Sequence, residues 1–146
     1  MYCCNVSFLC SGSVCLCVNV KVLEADGSIF AACVNGASLA LVDAGVAMKD
    51  IVCSCSVADL GYASGEGSEP VIDVNKLEQM SNLLTLTCLP RLNKIVKLEF
   101  SRVLHGDRLH EVLTAALAAC SQVHSILDTS IQDHIKTLAS GIELSG

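Results

Sequence analysis

The stretch ADGSIFAACVNGASLALVDAGVAMKDIVCSCSV, residues 25–57, decides the fold. It opens on Ala25-Asp26-Gly27, a turn signal. Residues 28–44 are then almost continuously apolar or small, with Ala31, Ala32, Ala37, Ala40 and Ala44 among them. Such a run predicts a helix. Asp26 or Ser28 can cap its N-terminus, and Gly45 stands where a C′ glycine belongs. A helix apolar on most sides is expected to be buried on most sides. Ile51 to Val57 is a short apolar run bounded by polar residues and reads as a strand.

Upstream, from Ser13, the pattern alternates. Val14, Leu16, Val18, Val20 and Val22 share one face, and Cys15, Cys17, Asn19 and Lys21 the other, which is strand periodicity. A strand over about 13–23 followed by the helix and the second strand makes a β-α-β unit. Downstream, residues 59–70 hold Gly61, Gly65, Gly67 and Pro70 and read as a surface loop. Val71-Ile72 opens a short strand leading to Lys76-Leu77-Glu78. Leu83–Leu89 and Ile95–Phe100 read as a hairpin across Pro90-Arg91-Leu92-Asn93. A long helix follows from Asp107, its expected N-cap. Leu109, Val112, Leu113, Ala116, Leu117, Cys120, Val123, Leu127, Ile131 and Ile135 recur at three- and four-residue steps. Residues 139–146 read as a frayed end. The order predicts an α+β (mixed α/β) fold with helices against one sheet.

The composition sets limits on function. Of 146 residues, 52% are apolar and 16% charged, against about 25% charged in ordinary domains. Disorder is excluded, because such a chain can bury far more than ordering it requires. The excess points to a subunit that covers its apolar surface with partners, or to part of a larger fold. A net charge of −6 is a poor footprint for autonomous nucleic-acid binding. With no Trp, 2 Tyr and 3 Phe, a base-stacking platform is not expected. The 10 Cys include no C-x-x-C, so they read as buried, reduced, small hydrophobes rather than a zinc ribbon or redox motif. Cys3, Cys4 and Cys10 are the weak exception for metal. Residues 1–20 carry no charge, but they lack a basic start and are broken by Asn5, Ser7, Ser11, Ser13 and Asn19, which argues against a leader or anchor.

Motifs for chemistry are few. There is no nucleophile elbow, dinucleotide fingerprint or phosphate loop; Gly61 to Gly67 lacks the lysine and the strand-to-helix setting. Of His105, His110, His124 and His134, His110 and His124 share a helix face but lie too far apart to chelate one metal. Solvated or interfacial imidazoles are expected. Asp43 and Asp50 read as helix-end and turn residues, and Asp73, at the end of a short strand, as structural. Arg91, Lys94, Lys97, Arg102 and Arg108 concentrate cations. Lys94 and Lys97 are separated by an odd number and are expected on opposite faces of the hairpin. Solvated charge and RNA-backbone contact both remain open for them.

Asp26-Gly27-Ser28, Ala32-Cys33-Val34-Asn35, Ala40-Leu41-Val42-Asp43-Ala44-Gly45-Val46 and Met48-Lys49-Asp50-Ile51-Val52 together resemble the second half of an RNase PH-family domain. The likeness continues through Val71-Ile72-Asp73, Lys76-Leu77-Glu78 and Leu89-Pro90-Arg91-Leu92-Asn93-Lys94-Ile95. It is strongest to the RNase PH-like ring subunits of the eukaryotic RNA exosome, and most like the mRNA-transport-regulator-type (Mtr-type) subunit. It makes residues 13–137 the C-terminal half of such a domain, residues 1–12 an unmatched segment and residues 138–146 a tail. The resemblance implies a ribosomal-protein-S5-domain-2-like fold whose β-α-β crossover has the unusual left hand. It also implies other ring subunits, cap subunits and threaded RNA as partners, no membrane, no cofactor, and a nuclear, nucleolar and cytoplasmic location.

Active members of the family phosphorolyse RNA 3′ ends. They need Arg cations for phosphate and acidic residues for a metal or proton. Asp73 matches the second of the family's two acidic positions. Six residues earlier, where the first belongs, stands Gly67; the nearest acid is Glu66. The phosphate-binding arginines belong to the other half of the family domain. The expectation is therefore a non-catalytic structural subunit of the exosome ring, in 3′-to-5′ RNA processing and decay. Its tentative RNA contacts are Arg91, Lys94, Lys97 and Arg102, and Asp73 is a vestige. The alternatives are an active phosphate-dependent exoribonuclease, a truncated form that does not assemble, and a binding module unrelated to RNA.

Overall fold

A computed structural model describes residues 2–9, 15–59, 69–76, 82–104 and 106–143. Strands β1 (Tyr2–Leu9) and β2 (Cys15–Val22) pair antiparallel, Tyr2 opposite Val22 and Leu9 opposite Cys15. Helix α1 (Ile29–Asp43) follows, then β3 (Cys53–Asp59), β4 (Val71–Ile72), β5 (Asn82–Leu89), β6 (Lys94–Phe100) and helix α2 (Gly106–Glu143). The last four strands form one antiparallel sheet in the order β4-β3-β5-β6. Part of the surface loop and residues 77–81 lie outside the described residues.

The expected β-α-β crossover has no counterpart among the described residues. β2 pairs with β1 in a separate two-stranded sheet, while β3 has β4 and β5 as its neighbours. Each strand takes a partner close in sequence, which closes short loops at low entropic cost. Alternation in β2 holds: Val18, Val20 and Val22 are half-buried, whereas Cys17, Asn19 and Lys21 are exposed.

Residues of β3 and β5 are buried on both sides, and the two faces differ in chemistry. Cys55, Val57, Leu84, Leu86 and Cys88 face α2 and pack on Val112, Ala116, Ala119 and Cys120. On the α1 face, Ser54 stands opposite Thr87 with their hydroxyls 3.0 Å apart, and Ser56 opposite Thr85. The serine–cysteine alternation of residues 53–56 is therefore one face for each helix.

α1 ends as its glycine suggests. Ala44 is the C-cap, Gly45 has φ +69°, and the N–H groups of Gly45 and Val46 donate to the carbonyls of Val42 and Leu41, a Schellman closure. Its start differs from expectation. Ser28 sits at the N-cap with φ 43°, yet its hydroxyl makes no cap bond and donates instead to Val74 O at 3.2 Å. α1 is also buried on one side only: Ala31, Cys33, Val34, Ala37, Ser38 and Leu41 are buried, whereas Ala32, Gly36 and Ala40 are exposed. Small side chains satisfied the apolar pattern without requiring cover.

α2 begins one residue before the expected cap, so Asp107 lies in its first turn, where a carboxylate meets the helix dipole favourably. The helix runs on to Glu143, through most of the stretch read as a tail.

Cys53, Cys55, Cys88 and Cys120 are buried free thiols and Cys33 is buried too, whereas Cys17 is exposed, against its expected burial. Cys120 Sγ lies 3.2 Å from Cys55 Sγ. Burial pushes the Cys53 thiol up to about 12, helped by Cys88 and Asp50. Hydrogen bonding to Cys55 leads the rise of Cys120 to about 12. Bonding to Cys120 raises Cys88 as well. Neutral thiols thus stabilise the fold fully below their ordinary pKa of 9.0, and that contribution is lost as pH rises through about 12. Thermal unfolding is expected to show a falling midpoint across this window, less steeply in Cys120→Ala. A midpoint that stays level there, or an unchanged slope in the variant, would show that the thiols do not carry it.

Candidate functional site

β4 is only two residues long, and its end places Asp73. Asp73 takes φ +60°, and its N–H donates to Ser56 O at 2.9 Å, which ties the residue to β3. The loop before α1 lies against it: a Cβ on Gly27 would stand 2.2 Å from Val74 O, and Gly27 itself has φ +105°. The two loops and α1 enclose a cavity of about 310 Å³ lined by Gly27, Ser28, Asn35, Ser54, Ser56 and Asp73 among others.

Most polar groups of this cavity are already committed. Asn35 donates to Ser54 O at 3.0 Å and accepts from Ser54 N–H at 2.8 Å. Ser54 Oγ donates to Leu86 O at 2.9 Å, and Ser28 Oγ bonds Val74. Among the described residues, the lining contains one carboxylate and no Arg, Lys or His. That set can hold a neutral or cationic group; it offers no side-chain cation for a phosphate. Gly67 and Glu66 lie outside the described residues.

Asp50 is no ordinary turn residue. Its side chain is buried and accepts three backbone N–H bonds, from Ile51 at 2.8 Å, Arg91 at 2.9 Å and Leu92 at 3.2 Å. It joins the approach to β3 to the β5–β6 turn. His124 Nε2 lies 3.9 Å from Asp50, buried and without a hydrogen bond. His110 is exposed, His134 pairs with Asp43 at 3.0 Å, and His105 lies outside the described residues.

The cations do not form one cluster. Arg91 sits in the turn, 3.4 Å from Asp128, and Arg102 lies beyond the far end of β6. Arg108 bonds buried Asp59 at 2.9 Å, which raises its pKa, and Glu111 at 2.6 Å. Lys94 and Lys97 share a face, contrary to their odd spacing. A bulge between Thr87 and Cys88 leaves Val96 without an opposite residue, so Lys94 stands opposite Leu89 and Lys97 opposite Thr87. Lys97 reaches Glu99 at 2.6 Å and lies 3.9 Å over the Phe30 ring.

A sheet with a helix on each face and a carboxylate beside the start of α1 defines the class: an α/β unit with a polar cavity between two loops. A crystal structure of rice (Oryza sativa) Rrp46 superposes with a TM-score of 0.63 at 24% identity, over 73% of this chain and 49% of that one. A model of the 3′ exoribonuclease family, RNase PH domain 1, matches residues 5–47, which overlaps the segment left unmatched above. The human and bovine proteins named exosome complex component RRP41 are 40% identical over 82% of this chain and 47% of theirs. The fission-yeast exosome complex component ski6 is 32% identical over 82% of this chain.

The chain belongs to the RNase PH family of 3′ exoribonucleases. It spans about half the length of the curated relatives it matches. The human, bovine and fission-yeast relatives carry the RRP41 or ski6 name, so the transport-regulator assignment draws no support from them.

Proposed function

We propose that this chain is a non-catalytic structural subunit of an RNA exosome ring, supporting 3′-to-5′ RNA processing and decay. The relatives' names support the complex. The cavity at Asp73 supports the non-catalytic reading: phosphorolysis needs cations around the attacking phosphate, and none lines it among the described residues. Partners in this reading are other RNase PH-like ring subunits, cap subunits and the RNA that passes, in nucleus, nucleolus and cytoplasm. Arg91, Lys94, Lys97 and Arg102 supply whatever contact the chain makes with the RNA backbone. The shared face of Lys94 and Lys97 favours such contact, whereas Lys97's bond to Glu99 and the spread of Arg91 and Arg102 favour a weak one.

One assay tests the reading. The purified chain is incubated with 3′-labelled RNA and inorganic phosphate, and separately used to capture proteins from a eukaryotic extract for mass spectrometry. The expected result is no release of nucleoside diphosphates, weak salt-sensitive RNA retention, and co-purified exosome ring subunits. Diphosphate release abolished by Asp73→Ala would establish the active enzyme instead. Capture of no ring subunit would defeat the structural role.

A further inference from the structure

β6 is the longer of the two outer strands of the four-stranded sheet, β4 being the other. Ile95, Val96, Leu98 and Phe100 on it are 39–59% exposed, an unusual density of large apolar groups on an edge strand. The backbone is set for pairing. Ser101 N–H donates to Leu83 O, so Glu99 and Lys97, two and four residues back, also turn their backbone toward β5. Leu98 and Phe100 direct theirs to the open edge.

We propose that β6 is a docking edge for β6 of a second copy of this chain, paired antiparallel about a twofold axis at Leu98. This register sets Leu98 opposite Leu98 and Phe100 opposite Val96. It also sets Lys97 opposite Glu99 on both sides of the axis. The contact Lys97 makes with its own Glu99 is exchanged for two cross-strand pairs of opposite charge. Neighbouring registers are refused by the same residues. An axis at Lys97 sets Lys97 against Lys97, and one at Glu99 sets Glu99 against Glu99. Lysines and a bulge normally guard an edge against indiscriminate pairing. Here the bulge lies at Val96, and the run from Lys97 to Phe100 beyond it is regular. The lysine guard is lifted only by a partner that presents Glu99. A C2 contact of this kind is isologous and closed. The inference rests on the strand itself and not on membership of an exosome ring.

Sedimentation velocity over a range of concentrations tests it on the 146-residue chain. The wild type is expected to dimerise in a concentration-dependent way. Lys97→Glu and Glu99→Lys each bring two like-charge pairs face to face and are expected to weaken the dimer about tenfold or more. The double variant restores opposite pairs and the dimer, and so does a 1:1 mixture of the two single variants. Independently, Leu98→Cys is expected to give a disulfide-linked dimer under mild oxidation, read on a non-reducing gel against the wild type, whereas Ile95→Cys does not. A chain that stays monomeric throughout, a dimer equally strong in the wild type and all three charge variants, or cross-linking through residue 95 in place of 98 would each overturn the proposal.

Discussion

Replacement of Gly27 by alanine is expected to destabilise the fold by roughly 3–5 kcal/mol, close to the whole stability of a small domain. The methyl group would lie 2.2 Å from Val74 O and 2.9 Å from two backbone atoms of Asn75. None of these is a side-chain end that can swing away, so one loop must leave the other. The residue also takes φ +105°, a conformation costly to any side chain. Both costs fall on one contact, which holds the start of α1 against the end of β4 and closes the cavity at Asp73. Gly36 is the control. An added Cβ there meets nothing within 4 Å, and Gly36 lies mid-helix, so Gly36→Ala is expected to stabilise by about 0.5–1 kcal/mol. Urea unfolding of the two variants should move in opposite directions. Equal midpoints would mean that the two loops separate at little cost.

Asp50→Ala is expected to cost about as much, roughly 3–5 kcal/mol, by a different route. It strands three N–H groups, those of Ile51, Arg91 and Leu92, where the carboxylate had accepted them all. An unsatisfied buried donor costs about 1–3 kcal/mol, reduced here because the turn can open to water. Asp50→Asn retains one acceptor oxygen and is expected to lose about half as much. Amide exchange separates this from a general loss of packing: the Arg91 and Leu92 amides should lose protection before those of β3. If the three amides stay as protected in the alanine variant as in the wild type, the carboxylate is not what orders the turn.

Periodicity made most elements legible. The hairpin, the short strand at Val71-Ile72, the Gly45 helix stop and the α2 stripe all lie within a few residues of where the pattern placed them. Each depends on local spacing alone. What was hidden depends on partners remote in sequence. Strand spacing cannot show that β2 pairs with β1 rather than lying beside β3. A residue count assigns Lys94 and Lys97 to opposite faces, and only the opposing strand reveals the extra residue that reverses it. Alanine run-length says that a helix tolerates burial, not that anything covers it. Asp73 was found by likeness to a family, and the emptiness of cation around it by the fold. Asp50 was read as a turn residue because a carboxylate looks the same in sequence whether water or three amides surround it.

One consequence follows from how α1 docks. At Ser54 the side of β3 turned away from β5 has no strand beside it among the described residues, since β4 reaches only Val57 and Ala58. Asn35 takes that place with its amide, meeting both N–H and C=O of Ser54, and Ser38 Oγ donates to Val52 O at 2.7 Å. A helix here imitates the hydrogen-bonding rim of a strand. Along this stretch of β3 the sheet is thereby closed to a further strand. A strand arriving there would first have to pull Asn35 off its peptide.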